Sequence, residues 1–157
     1  MKEIKLRNGG VTQVDDEDFE WLSQWKWKCW LNRGKPYVIR YTRKRSKNKT
    51  SRIVFMHREI IKTPSDLITD HIDSNGLNNQ KSNLRVCNLS QNQRNRKATA
   101  RSGYKGVGMC HTSIRARIKI NGNEIVLGYF KTFKEAAIAY NVAAIKYFGE
   151  FARLNKI

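Results

Sequence analysis

Between Ile114 and Gly149 the chain leaves itself few ways to fold. Ile114, Ala116, Ile118 and Ile120 alternate with Arg115, Arg117, Lys119 and Asn121, the two-residue period of a strand with one buried face. Asn121-Gly122 comes next, a dipeptide suited to the left-handed positions of a tight hairpin, and Ile125-Val126-Leu127 starts a return strand. Thr132-Phe133-Lys134-Glu135 has the form of a capping box that opens a helix. Phe133, Ala136, Ala137, Tyr140, Ala144, Tyr147 and Phe148 then fall at helical spacing, and Gly149 marks the end. The alanines let that helix lie close against a sheet. The pattern predicts a small sheet with one helix on its apolar face and Arg115, Arg117 and Lys119 on the open face.

The first 50 residues read as short strands around a small helix. Asp15-Asp16-Glu17-Asp18 puts acid at a helix start, ahead of Phe19, Trp21, Leu22 and Trp25. Arg33-Gly34 separates Lys26–Leu31 from Tyr37–Tyr41, a hairpin pattern. Four Trp lie between positions 21 and 30. Packing in a small β-rich core is the expected use for them, and stacking on bases is the alternative. Arg43–Lys49 is basic and without apolar period, so it reads as an exposed loop. A second polar stretch, Arg94–Ser102, contains Arg94, Arg96, Lys97 and Arg101 and is expected to join a helix to a second module.

The formal charge is +18, with a basic excess of +7 in residues 1–50, +4 in 51–100 and +7 in 101–157. A single basic tail would concentrate the charge, whereas this spread suits a long contact track on a polyanion and salt-sensitive association with nucleic acid. A generically solvated basic surface is the alternative. Cys29, Cys87 and Cys110 stand singly, with no Cys-x-x-Cys pair, which argues against a zinc ribbon or a disulfide framework and for a reducing setting. No signal-peptide pattern follows Met1, and no apolar run approaches membrane-spanning length. A cytoplasmic location, in a bacterial host cell, is expected.

The chemistry concentrates between Thr69 and Arg96. Asp70-His71 ends a short apolar run, a Gly/Asn-rich loop follows, and Leu84-Arg85-Val86 reads as a second strand. Ser90-Gln91-Asn92-Gln93 has capping-box form, making Ser90 the expected N-cap and placing Asn92 in the first helical turn. A ββα unit would bring Asp70, His71 and Asn92 together. A hard divalent cation such as Mg²⁺ takes oxygen ligands and keeps several waters, so Asp70 and the Asn92 side-chain oxygen would suffice beside a substrate phosphate. Neutral His71 would take a proton from an attacking water. Soft ligands for a four-coordinate zinc are missing.

These residues resemble the HNH nuclease family, especially the homing endonucleases of phage and mobile introns. The likeness runs over roughly residues 53–96 and is carried by Met56-His57-Arg58, Asp70-His71-Ile72-Asp73, Asn83-Leu84-Arg85 and Gln91-Asn92. It implies His71 as general base, Asp70 and Asn92 as ligands of Mg²⁺ or Mn²⁺, and Asn83 as a brace for the loop carrying His71. The third motif position is Asn rather than His, as in the homing branch, and Asn78 and Gln80 stand where relatives often have Asp and Arg. His57 reads as structural or as a phosphate contact, and His111 as a loop residue.

Residues 103–155 resemble the Apetala/ethylene-response-factor (AP-two/ERF) DNA-binding domain, which phage HNH nucleases often carry. The resemblance rests on Ser102–Val107, Arg115–Ile118, Leu127–Phe130, Glu135–Tyr140 and Gly149–Asn155. It implies a three-stranded sheet in the major groove of DNA. The first hairpin is short here and a usual Trp near Ile114 is absent.

The expected fold class is α+β: an N-terminal β-rich region leading into a ββα-metal nuclease (1–98, core about 66–98), a basic linker (99–102), and a three-stranded sheet with one packed helix (103–157). The expected function is site-directed cleavage of double-stranded DNA by metal-dependent phosphodiester hydrolysis, with Lys105, Arg115, Arg117, Lys119, Arg94, Arg96 and Lys97 as DNA contacts. A non-cleaving DNA-binding regulator with a degenerate nuclease fold is the rival. RNA binding fits the charge, but no RNA-reading aromatic motif accompanies it. No membrane association or protein partner is implied, and a monomer is expected.

Overall fold

The computed structural model describes residues 1–42, 51–98 and 100–157, so the loop expected at Arg43–Lys49 and the first linker residue, Thr99, lie outside the described residues. The chain divides into two compact units, Met1–Leu89 and Ser90–Ile157. The class is mixed, with several small antiparallel sheets and four helices among the described residues. None of those helices is long and apolar enough to cross a membrane. Cys29, Cys87 and Cys110 are free thiols.

The first unit opens with a two-stranded hairpin, β1 (Lys2–Lys5) and β2 (Val11–Val14). Helix α1 (Asp16–Ser23) follows, with Asp16, Glu17 and Asp18 in its first turn, where the helix dipole favours negative charge. Asp15, in the N-cap position, makes no side-chain cap bond; its carboxylate instead accepts from the Lys81 N–H at 2.7 Å and from Gln80 Nε2 at 3.3 Å. Strands β3 (Lys28–Asn32) and β4 (Lys35–Tyr41) form the expected hairpin. Arg33 and Gly34 both have positive φ, 51° and 76°, as a two-residue turn of this hand requires. Strand β5 (Ile53–Phe55) adds to the far edge of β4 and runs into α2 (Met56–Ile61), and β6 (Ile68–His71) pairs antiparallel with β7 (Leu84–Cys87).

The core of this unit gathers Ile4, Leu6, Val14, Leu22, Trp27, Val38, Met56, Ile60 and Leu84. Of the four Trp, Trp27 is buried within it and Trp21 packs against it. Trp27 is buried with its Nε1 donating to the Leu22 carbonyl at 2.8 Å, while Trp25 is exposed beneath the Arg40 guanidinium, 4.2 Å from the ring centroid. Trp21 and Trp30 are half-buried. The expected core packing is met by Trp27 and partly by Trp21, whereas Trp25, just beyond the end of α1, is exposed.

Helix α3 (Leu89–Arg94) begins at the end of the first unit. It starts two residues earlier than an N-cap at Ser90 implies. Ser90 is therefore inside the first turn rather than at the N-cap, and Asn88, also a favoured capping type, precedes the helix. The second unit then forms the predicted sheet: β8 (Val107–Cys110), β9 (Ser113–Ile120) and β10 (Asn123–Phe130), in the order β10-β9-β8. Asn121 and Gly122 take φ of 49° and 89° in the β9–β10 turn, and the capping box of Thr132 and Glu135 opens α4 (Phe133–Phe148). Ile114, Ala116 and Ile118 are buried under Ala136, Ala137, Tyr140 and Ala144 of α4. Gly106 has a packing reason: a Cβ there would stand 2.2 Å from the Tyr140 ring.

Candidate active site

The β6–β7 ladder puts Asp70 opposite Arg85 and His71 opposite Leu84. Asp70 and His71 are both buried. Asp70 Oδ2 accepts from Arg85 Nη2 at 2.9 Å and Nε at 3.1 Å, a charge-assisted pair between two shielded side chains. His71 Nε2 lies 3.2 Å from Asn79 Oδ1. Against its ring stands His57 of α2, edge to face with centroids 5.1 Å apart, and Tyr37 of β4 lies 6.3 Å away.

Burial governs the protonation of both histidines. It pushes His57 down to about 3, with the neighbouring His71 and Arg58 adding to the fall, and His57 Nδ1 is buried with no hydrogen-bond partner among the described residues. Burial likewise holds His71 below its ordinary value, outweighing the Asn79 hydrogen bond and the nearby carboxylates of Asp73 and Asp70. A neutral imidazole is the form a general base needs.

The loop between β6 and β7 is tied down by side chains rather than by regular structure. Asn83 Oδ1 accepts from the Asp73 N–H at 3.0 Å, and its Nδ2 donates to Asp73 Oδ1 at 3.0 Å and to the Asn78 carbonyl at 2.8 Å. The Asn83 carbonyl accepts from the N–H of Ile72, the residue after His71, at 2.9 Å. Partial burial opposes ionisation of Asp73, yet hydrogen bonds from the Asn75 N–H, Asn78 and Asn83 together hold its carboxyl below the usual range. Asn78, at one of the two positions that depart from the family pattern, reaches Asp73 Oδ2 at 3.0 Å. Gly76 lets the loop approach β4, because a Cβ there would meet the Pro36 carbonyl oxygen at 1.9 Å.

Asn92 lies in the middle of α3 and is half-buried; α3 from Ser90 onward belongs to the second unit, so its ligand role rests on the sequence pattern. Among the described residues no group of three or more His, Cys, Asp or Glu could hold a metal. The donor set around Asp70 is therefore poor for zinc, but it fits a hard cation that takes one carboxylate with amide, water and phosphate oxygens. Such a cation would compete with Arg85 for Asp70. Arg85→Met is expected to destabilise the metal-free protein by about 3–5 kcal/mol, because it removes the cationic partner of a buried carboxylate. Saturating Mg²⁺ should restore part of that loss. Thermal unfolding of wild type and variant with and without Mg²⁺ checks this, and equal Mg²⁺ effects on both would remove Asp70 as a cation ligand.

In the second unit, Arg115 is half-buried while Arg117 and Lys119 are exposed on β9. Glu124, across the sheet on β10, pairs with Arg117 at 2.5 Å and with Arg115 at 3.7 Å. Arg96, Lys97, Lys105, Arg115 and Arg117 help line a concavity of about 590 Å³. Two of the expected contacts are engaged internally: the Lys105 ammonium donates to the Arg94 carbonyl, and the Arg94 guanidinium lies 4.8 Å from the Phe148 ring centroid. Burial, with Arg153 and Arg96 nearby, lowers Lys105 to about 8.

No family model matches the chain. The chain is similar to a protein of Acanthamoeba polyphaga mimivirus, 41% identical over 97 residues, which cover 61% of this chain and 51% of that protein. That protein is named an uncharacterized HNH endonuclease. The likeness supports a nuclease. This chain spans about half the length of the relative it matches.

Sequence reasoning missed Asn79, Thr12 and Arg85 as parts of the site. Asn79 and Thr12 meet across 67 positions, and Arg85 reaches Asp70 through strand register; neither signal is local.

Proposed function

We propose that this chain is a divalent-metal-dependent DNA endonuclease of the HNH type. The observation that carries this reading is the buried Asp70-His71 pair at the end of β6, with His71 held below its ordinary pKa and bonded through Nε2 to Asn79. His71 takes the proton of the attacking water, and Asn83 keeps the loop behind it in place. By the family resemblance, Asp70 and Asn92 would each supply an oxygen ligand to the cation. When bound, a Mg²⁺ or Mn²⁺ ion supplies positive charge to the phosphate and the leaving oxygen. The resemblance extends the reading to a site-directed homing endonuclease of a phage or mobile element.

The open face of β9 supplies target binding in this reading, through Arg115, Arg117 and Lys119, with Arg96 and Lys97 beside it. Resemblance to the Apetala/ethylene-response-factor domain supports a sheet laid in the major groove. Because phosphate contacts release counterions, log affinity for duplex DNA should fall with log salt by about 0.9 per neutralised phosphate, giving a slope of several units. A flat slope in a fluorescence-anisotropy titration would contradict the basic track.

One observation favours the rival of a non-cleaving DNA-binding regulator: Asp70 is already neutralised by Arg85. Incubating supercoiled plasmid with the protein separates the two. Open-circular or linear product with Mg²⁺, and none with a chelator, supports the nuclease; binding without cleavage under any divalent cation supports the regulator.

A further inference from the structure

The contact between His71 Nε2 and Asn79 Oδ1 does not by itself say which nitrogen of the histidine carries the proton. What lies behind Asn79 decides it. Asn79 Nδ2 is 3.3 Å from the Gly76 carbonyl and 2.8 Å from Thr12 Oγ1. A carbonyl oxygen only accepts, so the amide nitrogen of Asn79 must face Gly76 and the amide oxygen must face the histidine. Thr12 gives the same direction independently. Its Oγ1 is 2.8 Å from the Leu77 carbonyl, which takes the hydroxyl proton in preference to the Met56 sulfur at 4.0 Å, so Thr12 accepts from Asn79. An amide oxygen cannot donate, and the proton between Asn79 and His71 therefore belongs to Nε2.

The chain of bonds is sheltered, since Thr12 and Asn79 are both 0% exposed. It is also anchored in the backbone: the Gln13 N–H donates to the Leu77 carbonyl at 2.9 Å, and the Asn79 N–H donates to the Gln13 carbonyl at 2.8 Å. Strand β2 thus runs beside the loop that carries Asn79 and fixes both ends of the relay.

We infer that Thr12 and Asn79 are positioning residues that hold His71 as its Nε2–H tautomer, leaving the basic lone pair on Nδ1. The tautomer lock stands on geometry alone; its use in cleavage rests on the proposed function. There, the proton of the attacking water passes to Nδ1 as the new oxygen–phosphorus bond forms and the leaving oxygen departs. The Nε2–H to Asn79 bond survives as a stronger, charge-assisted one. A base in the other tautomer would present a proton where it has to accept one.

Long-range ¹H–¹⁵N correlation spectra of the metal-free, ¹⁵N-histidine-labelled protein, at a pH where both buried histidines are neutral, read the tautomer directly. The expected spectrum has His71 protonated at Nε2, and a dominant Nδ1–H form in wild type would overturn the inference. Asn79→Leu should abolish the bias and lower kcat for duplex cleavage by about 10–100-fold at nearly unchanged KM. Asn79→Asp, which keeps the acceptor, should recover most of both. Should Asn79→Leu fail to fold, Thr12→Val is the second variant and should weaken the bias. Retention of full Nε2–H preference in either folded variant would also overturn the inference. A wild type with the expected tautomer but no cleavage refutes the nuclease reading and leaves the lock standing.

Discussion

Replacing His71 with alanine is expected to slow duplex cleavage by about two to four decades, the usual contribution of a positioned general base. In barrier terms this is about 3–5 kcal/mol. DNA binding should change little, because the basic residues assigned to it are elsewhere in the chain. His71 is buried against His57 and Tyr37, so alanine also leaves a cavity. His71→Gln fills more of that space without restoring an imidazole, and it separates lost chemistry from lost packing. Single-turnover rates for both variants, alongside their melting temperatures, are the readout. Cleavage at the wild-type rate by a folded His71→Ala protein would show that another group activates the water.

Acid should unfold the first unit earlier than its carboxylates alone would. His57 is pushed down to about 3 by burial in the folded chain and returns to an ordinary value near 6.5 when unfolded. Between those values the unfolded chain binds the extra proton, so stability rises with pH through this window. The stabilisation is complete above about 6.5 and is lost at about 1.4 kcal/mol per pH unit on the way down, or about 2 kcal/mol by pH 5. His71, also lowered by burial, acts in the same direction. His57→Phe keeps an aromatic ring beside Phe55 and Tyr37 and removes the buried Nδ1 that has no hydrogen-bond partner among the described residues. Its stability should therefore fall less steeply with acid, by about one proton's worth of slope. Parallel slopes for wild type and variant in denaturant titrations between pH 7 and 4 would rule out His57 as the source.

The parts of the fold that sequence made legible are those whose causes are local. Asn121-Gly122 needs two left-handed residues, Thr132 and Glu135 satisfy each other's backbone, and Ile114, Ala116 and Ile118 count off a buried face. Asp70-His71 and Leu84-Arg85-Val86 were readable as two strands for the same reason. The supports of the site were not, because they depend on which segments meet. Thr12 reaches Asn79 only once β2 lies beside the loop, and Arg85 reaches Asp70 only in one register. Trp25 shows the converse error. Its hydrophobicity suggested a core position, while the fold places it on the surface under Arg40. The helix starts two residues ahead of where a Ser90 N-cap would put it, since Asn88 offers an equally suitable end to the preceding loop.

In the proposed reaction water is the nucleophile at a phosphorus atom, activated by His71 with a divalent cation present. Cleaving duplex DNA in ¹⁸O-enriched water with Mg²⁺, and weighing the terminal phosphate by mass spectrometry, tests that directly. One solvent oxygen is expected in each new terminal phosphate for the wild-type protein, with product formation falling by decades in His71→Ala and ceasing when the cation is chelated. New ends without solvent oxygen, or cleavage unaffected by chelation, would contradict this reaction.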